Sequence, residues 1–532
     1  MTSILLIHPP VAKPGEPPAG IALLAGSLRH HGVACTLLDA SLEGLLFLLG
    51  QARDPQDTWS SRALRNLDTN LAAIRSPPLY RNTDRYQRAA RDVNRVLELA
   101  THSHPELSLN LSNYQDDHAN PLDSRSLLAA ADSYQDNIFA PYFRQRLPAL
   151  LEAENPQMVG ISLSYLSQAL CAFALLGFLK ANYPHLTLVL GGGLTTSWMS
   201  SREWHNPFSA LVDHCINGPG EEPLLKLLGI DSPTDTPPPD YTGLPWHDYF
   251  APGPILPYAA SRGCYWNKCS FCPETAEQSR YHQIDPTTVT AHLRRLCDQV
   301  QPVLIHLLDN AISPALMTAL CDRPPGVPWY GFARVHEQLA DADFCRRLRL
   351  SGCVLLKLGL ESGSQAVLDA MHKGISLDLV ARVLTSLQQA GIATYVYLLF
   401  GTPSEALPEA QQTLEFTLRH HEAITFLNLA IFNMPRDGEE ATRLPGVEFS
   451  EGDLSLYRDF VHPRGWDRRA IRTFLDREFK RHPLIATILH RDPPLFTSNH
   501  AAFFSRDFPW PLQMDHENSV RSPHFEAEKN QF

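Results

Sequence analysis

Apolar runs and polar interruptions divide the chain into two strand–helix series separated by a proline-rich stretch. "SILLI" at residues 3–7 reads as a buried strand that stops at Pro9 and Pro10. In "GIALLAGSLRHHG", Ile21, Leu24 and Leu28 recur at helical spacing, and Gly32 ends the run. "VACTLLDAS" follows as a second strand, so the opening segment predicts a right-handed βαβ unit. Residues 50–150 then turn polar, rich in Arg, Asp, Asn and Gln, and read as a mostly helical insertion that covers one face. The alternation resumes with the strand "MVGISLSY", the helix "QALCAFALLGFLKANY" and the strand "LTLVLGGGLTT". "LVDHCINGPGEEPLLKLL" predicts a short strand, a glycine turn and a helix opened by Glu221 and Glu222.

Residues 231–256 are dense in proline and predict a semi-extended linker and a domain boundary. Six further apolar runs follow, "ILPYAAS", "PVLIHLLD", "WYGFARV", "CVLLKLGLES", "ATYVYLLFG" and "ITFLNLAIF", with helical segments between them. Repeated βα units of this kind predict a parallel sheet curled as a partial, TIM-like (β/α)6 barrel. The expected fold is therefore α/β. A doubly wound Rossmann-like domain covers 1–230, with its helical insertion at about 50–150. The linker covers 231–256, the partial barrel 257–445 and a small helical C-terminal extension 446–532. Ligands of open α/β sheets sit beyond the carboxyl ends of the strands. Those ends carry His8 and Pro9, Ser164 and Tyr165, the glycines Gly191 to Gly193, and Gly218 to Glu221, which together suggest one shared crevice.

Composition narrows the function classes. A formal charge of −12 disfavours nucleic-acid binding driven by bulk charge. No apolar run reaches the ~18 residues of a membrane span. "MTSILLIHPP" lacks the basic start of a secretory leader. Seven of the ten cysteines are scattered among apolar neighbours, the pattern of reduced thiols in a cytoplasmic protein.

The other three are crowded into "GCYWNKCSFC" as Cys264, Cys269 and Cys272, directly after the first strand of the second series. Thiolates hold zinc or iron–sulfur clusters. Three thiolates on a 4Fe-4S cubane leave one iron open for a substrate or cofactor. Zinc with a distant fourth ligand is the alternative.

The second half resembles the radical S-adenosylmethionine (SAM) enzymes on this cysteine trio, on "GLESG" and on "LLFGTPSE". The resemblance implies a 4Fe-4S cluster on Cys264, Cys269 and Cys272 whose open iron binds SAM for reductive cleavage to a 5′-deoxyadenosyl radical. The family places three residues between the first two cysteines; here "YWNK" makes four. Matched positions imply that Phe271, Asp309, Asn310, Arg334, Glu361, Ser362, Gly401 and Glu405 surround SAM. Tyr265 and Trp266 either line the substrate side or pack the loop. The first half resembles the cobalamin-binding domain that precedes the barrel in one large class of these enzymes, through "PPAGIALLAGSLRHHG", "VGISLSY", "VLGGG" and "NGPGEEPLLKLL". That implies a corrin against Ser164, Gly192, Gly193 and Glu221. The D-x-H-x-x-G signature is absent, so no histidine would lie below the cobalt.

The expected activity is cobalamin-dependent radical SAM chemistry with methyl transfer to an unactivated carbon. The alternatives are a radical SAM rearrangement or cyclisation without methyl donation, and a non-enzymatic metal-binding interaction module. Expected partners are a small-molecule or peptide substrate and an electron donor such as flavodoxin or ferredoxin, with no nucleic acid and no membrane span.

Overall fold

The computed structural model describes residues 3–231, 236–446, 451–493 and 497–505. Parts of the expected linker and of the C-terminal extension, at 232–235, 447–450, 494–496 and 506–532, lie outside the described residues.

The first sheet opens with β1 (Ser3–His8) and β2 (Ala34–Asp39), parallel and in register from Ser3 opposite Ala34 to His8 opposite Asp39. The helix Ala19–His30 crosses between them. Within the insertion, β3 (Leu107–Asn110) and β4 (Asn113–Asp116) form an antiparallel hairpin. β5 (Met158–Ser162), β6 (Thr187–Gly191) and β7 (His214–Cys215) complete a parallel sheet of order β2-β1-β5-β6-β7. Strand order reverses beside β1, which puts a topological switch point, where ligands of such sheets bind, at the carboxyl ends of β1 and β5. Both faces are covered. Leu5 and Ile7 point into one apolar cluster, Ile4 and Leu6 into the other. Each such fully buried side chain contributes ~1.5–3 kcal/mol.

The insertion is largely helical, with the hairpin as its exception. Its polar composition conceals a strong stripe. In the helix Thr83–Ala100, Tyr86, Ala90, Val93 and Leu97 recur at three- and four-residue steps and are fully buried. The described part of the proline-rich stretch is packed down rather than free. Tyr241, Leu244, Tyr249 and Phe250 are buried, Tyr249 donates to Asp39 at 2.8 Å, and Phe250 N donates to Pro14 O at 2.7 Å.

The second sheet consists of β8 (Ile255–Tyr258), β11 (Leu304–Leu307), β12 (Trp329–Ala333), β13 (Cys353–Glu361), β14 (Ala393–Phe400) and β15 (Phe426–Ile431), hydrogen-bonded in chain order and all parallel. A small antiparallel pair, β9 (Ser261–Arg262) with β10 (His282–Gln283), brackets the cysteine loop. One apolar cluster runs from the first sheet into the second, joining Leu45 and Phe173 to Phe250, Tyr330, Tyr395 and Phe426. C-terminal helices finish the outside. Trp466, Ile471, Phe474 and Phe479 pack in one cluster with Phe400. The His500 ring lies 4.6 Å from those of Tyr395 and Phe426. Among the described residues no helix is long and apolar enough to cross a membrane.

Candidate functional site

The cysteine loop leaves β9 through Gly263, whose φ of +69° and close approach to Arg280 O leave no room for a side chain. Its floor is Trp266. The indole Nε1 donates to His372 O at 3.0 Å, and the Arg334 guanidinium stacks 3.9 Å from the ring centroid. Lys268 covers the same ring at 4.8 Å. Asn267 takes a left-handed φ of +44°, which is how the loop accommodates four residues between its first two cysteines. Ser270 N donates to Met371 O at 3.1 Å, and Cys272 N to Cys269 O at 3.3 Å.

Cys264, Cys269 and Cys272 are free and half-buried. Burial raises the Cys269 thiol above its ordinary value, against the nearby Lys373 and Arg334. It pushes Cys272 to about 11, against backbone N–H groups of Glu274 and Thr275. Both are therefore thiols at neutral pH until a metal displaces the proton. Among the described residues no three His, Cys, Asp or Glu side chains are gathered closely enough to hold a metal ion. A cubane takes each thiolate on a different iron and needs its ligands farther apart than a single ion does.

The strand ends beside the loop divide into two groups. Asp309, after β11, is 1% exposed and points inward, accepting from Ala260 N at 3.1 Å and from the Ser261 hydroxyl. It fixes the turn that launches the cysteine loop. Ser362 is equally enclosed, within 3.2 Å of the Thr413 hydroxyl and accepting from Ser364 N. Glu405 is fully buried and accepts from Gly401 N and from Trp466 Nε1. Its other oxygen has no partner, and burial raises the carboxyl to about 7. Gly401 holds a φ of +84° against Ile471.

The second group gathers at the loop. Asn310 donates to Glu274 at 2.8 Å, tying β11 to the turn of helix after Cys272. Arg334 donates to Lys373 O and Gly374 O while stacking on Trp266. A register shift after Gly359 leaves Glu361 at φ +69°, paired with Lys373 at 2.8 Å. The Lys373 ammonium also lies 5.5 Å from the Phe271 ring centroid. Sequence reasoning missed Lys373, which sits in a turn beyond the helix Gln365–Ala370, where no strand end marks it.

Across from this group lies a crevice of about 720 Å³. The first sheet contributes Ser164, Gly192, Gly193 and Glu221 to it; the cysteine-loop side contributes Arg262 and Gly263. Gly192, at φ +105°, brings its backbone against that of Leu163. Glu221 and Arg262 form an ion pair over the crevice.

The fold is that of solved cobalamin-dependent radical SAM enzymes. TsrM from Kitasatospora setae, a radical SAM methyltransferase solved with cobalamin and a [4Fe-4S] cluster, superposes with a TM-score of 0.51 at 14% identity over 84% of this chain and 78% of that one. OxsB, a cobalamin-dependent SAM radical enzyme solved with aqua-cobalamin, gives 0.58 at 11% identity over 90% and 67%. Among curated proteins, the chain is 26% identical over 223 residues to an anaerobic magnesium-protoporphyrin IX monomethyl ester cyclase of Rubrivivax gelatinosus, covering 38% of this chain and 39% of that protein. It is also 26% identical over 224 residues to a bacteriochlorophyllide d C-12(1)-methyltransferase of Chlorobaculum tepidum, covering 40% and 45%. The chain thus matches less than half the length of these curated relatives. No family model matches it.

Proposed function

We propose that this chain is a cobalamin-dependent radical SAM enzyme that methylates an unactivated carbon of a small molecule or peptide. One observation carries the reading. Arg262 and Gly263, which line the crevice beyond the first sheet, immediately precede Cys264. A corrin in that crevice and a cluster on the three thiols would therefore share one wall.

The residues fit both groups. Three half-buried thiols lie on one loop, and Lys373 and Arg334 beside Cys269 partly offset the cost of its burial. Gly192 lets the end of β6 pack against the backbone of Leu163, and both strand ends border a crevice of about 720 Å³ that has room for a flat macrocycle. When bound, the cluster with SAM supplies a carbon-centred radical and the corrin a transferable methyl group. The chain's own part is positional. Glu361 and Asn310 would hold SAM, with Phe271 and Lys373 beside them, and Ser164, Gly192, Gly193 and Glu221 would hold the corrin. Asp309, Ser362, Gly401 and Glu405 act one layer back by fixing the turns that carry these groups. Arg334 holds Trp266 and with it the loop floor. Electrons would come from a flavodoxin or ferredoxin.

A second reading, radical chemistry without methyl donation, draws support from the similarity to a cyclase. Anaerobic purification with added hydroxocobalamin, followed by iron counting, visible spectroscopy and product analysis, tests both. Corrin uptake, iron and 5′-deoxyadenosine with a methylated product support methylation. The same cofactors without a methylated product favour the second reading. Cys269→Ala should lose the cluster absorption and keep the corrin bands; loss of both would overturn the two-site division.

A further inference from the structure

A second cavity, of about 270 Å³, borders the crevice at Ser197, Ser200, Glu274 and Glu277. Three parts of the chain enclose it. The first sheet contributes the helix Gly193–Met199 and the turn after it. The cysteine loop runs directly into it as the helix Pro273–Ala276. The segment beyond β15 closes it with β16 (Met434–Pro435), paired antiparallel to β17 (Tyr457–Arg458). Its far wall, with Trp204, Leu454 and Tyr457, lies outside the crevice. Tyr457 is close enough to both Glu277 and Cys272 to feel their charges, so the cavity reaches the cysteine that ends the loop.

Two of its polar features go unmet within the described residues. Trp198 lines the cavity and is 2% exposed, yet its indole Nε1 is enclosed with no acceptor. An enclosed donor without a partner is costly. The second feature is an excess of acid. Five carboxylates line the cavity, those of Glu203, Glu274, Glu277, Asp437 and Asp453. Arg436 is the one lysine or arginine among the described lining residues, and it pairs with Glu203. Asp453 is taken up by Ser124, accepting from its N at 2.8 Å and its hydroxyl at 2.6 Å. Glu274 has only the neutral amide of Asn310, at 2.8 Å. Burial raises the Glu277 carboxyl, opposed by a hydrogen bond from Ser197 and reinforced by the Glu274 charge, with no cation offsetting it. A carboxylate drawn out of water in this way is stabilised when a cation meets it. The aromatic wall of Trp204 and Tyr457 suits either a cation or an apolar body.

We infer that this cavity receives the substrate and that the substrate carries a cationic amine, whose ammonium lies against Glu277 and Glu274 while an acceptor oxygen near it takes the hydrogen bond from Trp198 Nε1. The word substrate rests on the proposed enzyme reading; the amine site itself does not. The competing account gives the cavity to the amide arms of a corrin seated in the crevice.

Binding to the full-length protein, followed by calorimetry at pH 7.5, separates the two. It needs no cluster, corrin or SAM, so its failure is distinct from failure of the enzyme reading. The probes are 3-amino-N-benzylpropanamide and its neutral isostere N-benzylbutanamide, which differ only in an ammonium against a methyl group. The amine should bind at least about tenfold more tightly, the scale of a hydrogen bond to a charged partner. Glu277→Gln should remove that preference, and Glu478→Gln, on an exposed helical face, should keep it. Trp198→Phe should weaken both probes alike, because both carry the acceptor carbonyl; unchanged affinities would overturn the acceptor half of the inference. Equal affinity for the two probes, binding of neither, or a preference that survives Glu277→Gln overturns the amine site. Loss of amine binding once hydroxocobalamin is bound would assign the cavity to the corrin and overturn the substrate assignment.

Discussion

Lys373 Nζ lies 2.8 Å from Glu361 Oε1 at the rim of the cysteine loop, and the two side chains are only 9% and 13% exposed. The pair joins the bulged end of β13 to the turn whose Met371 and His372 carbonyls hold the loop through Ser270 and Trp266. Replacing one partner strands the other's charge in a largely dry setting. Lys373→Met should therefore lower stability by on the order of 3 kcal/mol, while Glu361→Gln with Lys373→Met should recover most of that. Urea unfolding of the metal-free proteins measures both. A double variant no better than the single one would show that Lys373 acts through its stack on Phe271 instead.

The four-residue gap makes a sharper point. Asn267 accommodates the extra residue by adopting φ +44°, a region closed to β-branched side chains and open to glycine. Asn267→Gly should leave iron incorporation unchanged, and Asn267→Val should cost about 1–2 kcal/mol and reduce it. Equal iron content in the two variants would mean that the loop has other ways to close.

Gly192 offers a separate handle on the crevice. At φ +105° with its backbone against Leu163, it cannot take a Cβ without moving the end of β5. Gly192→Ala should abolish corrin uptake from hydroxocobalamin and leave iron binding intact, both read from visible spectra of reconstituted protein. Normal uptake would place the corrin elsewhere.

What the sequence made legible follows from how each element is buried. β11 and most of β13 are covered on both faces, so Leu304–Leu307 and residues 353–358 appear as unbroken buried runs. The helix Thr83–Ala100 buries one stripe beneath Arg85, Arg88, Arg91 and Arg95, and composition alone hid it. The hairpin at 107–116 is two four-residue strands, in which the alternation of Leu107 and Leu109 with polar neighbours is too short to stand out as a period. At the site, strand order placed Asp309 and Glu361 alike at carboxyl ends. Only tertiary contacts separate them: Asp309 turns in to Ser261, and the bulge turns Glu361 out to Lys373. A hydrogen-bonded chain of Glu16, His306 and Lys357 joins residues about 50 to 290 positions apart in sequence, and no local pattern announces it.

Glu405 gives the protein a pH signature. Its carboxyl is fully enclosed, one oxygen has no partner, and burial raises it from an ordinary 4.5 to about 7. A carboxyl raised in the folded state binds more protons folded than unfolded between those two values. Its contribution is thus fully present below about pH 4.5 and is lost as pH rises through about 7. The interval corresponds to about 3 kcal/mol at most, since each tenfold change in proton affinity is worth ~1.4 kcal/mol. Glu405→Gln keeps an acceptor for Gly401 N and Trp466 Nε1 and removes the titration. The variant should match the wild type at pH 5 and exceed it by about 2–3 kcal/mol at pH 8, in urea unfolding followed at both. Parallel pH profiles would mean that Glu405 is ionised in the fold, its free oxygen solvated by water, and that the turn after β14 is less tightly closed than Gly401 and Ile471 imply.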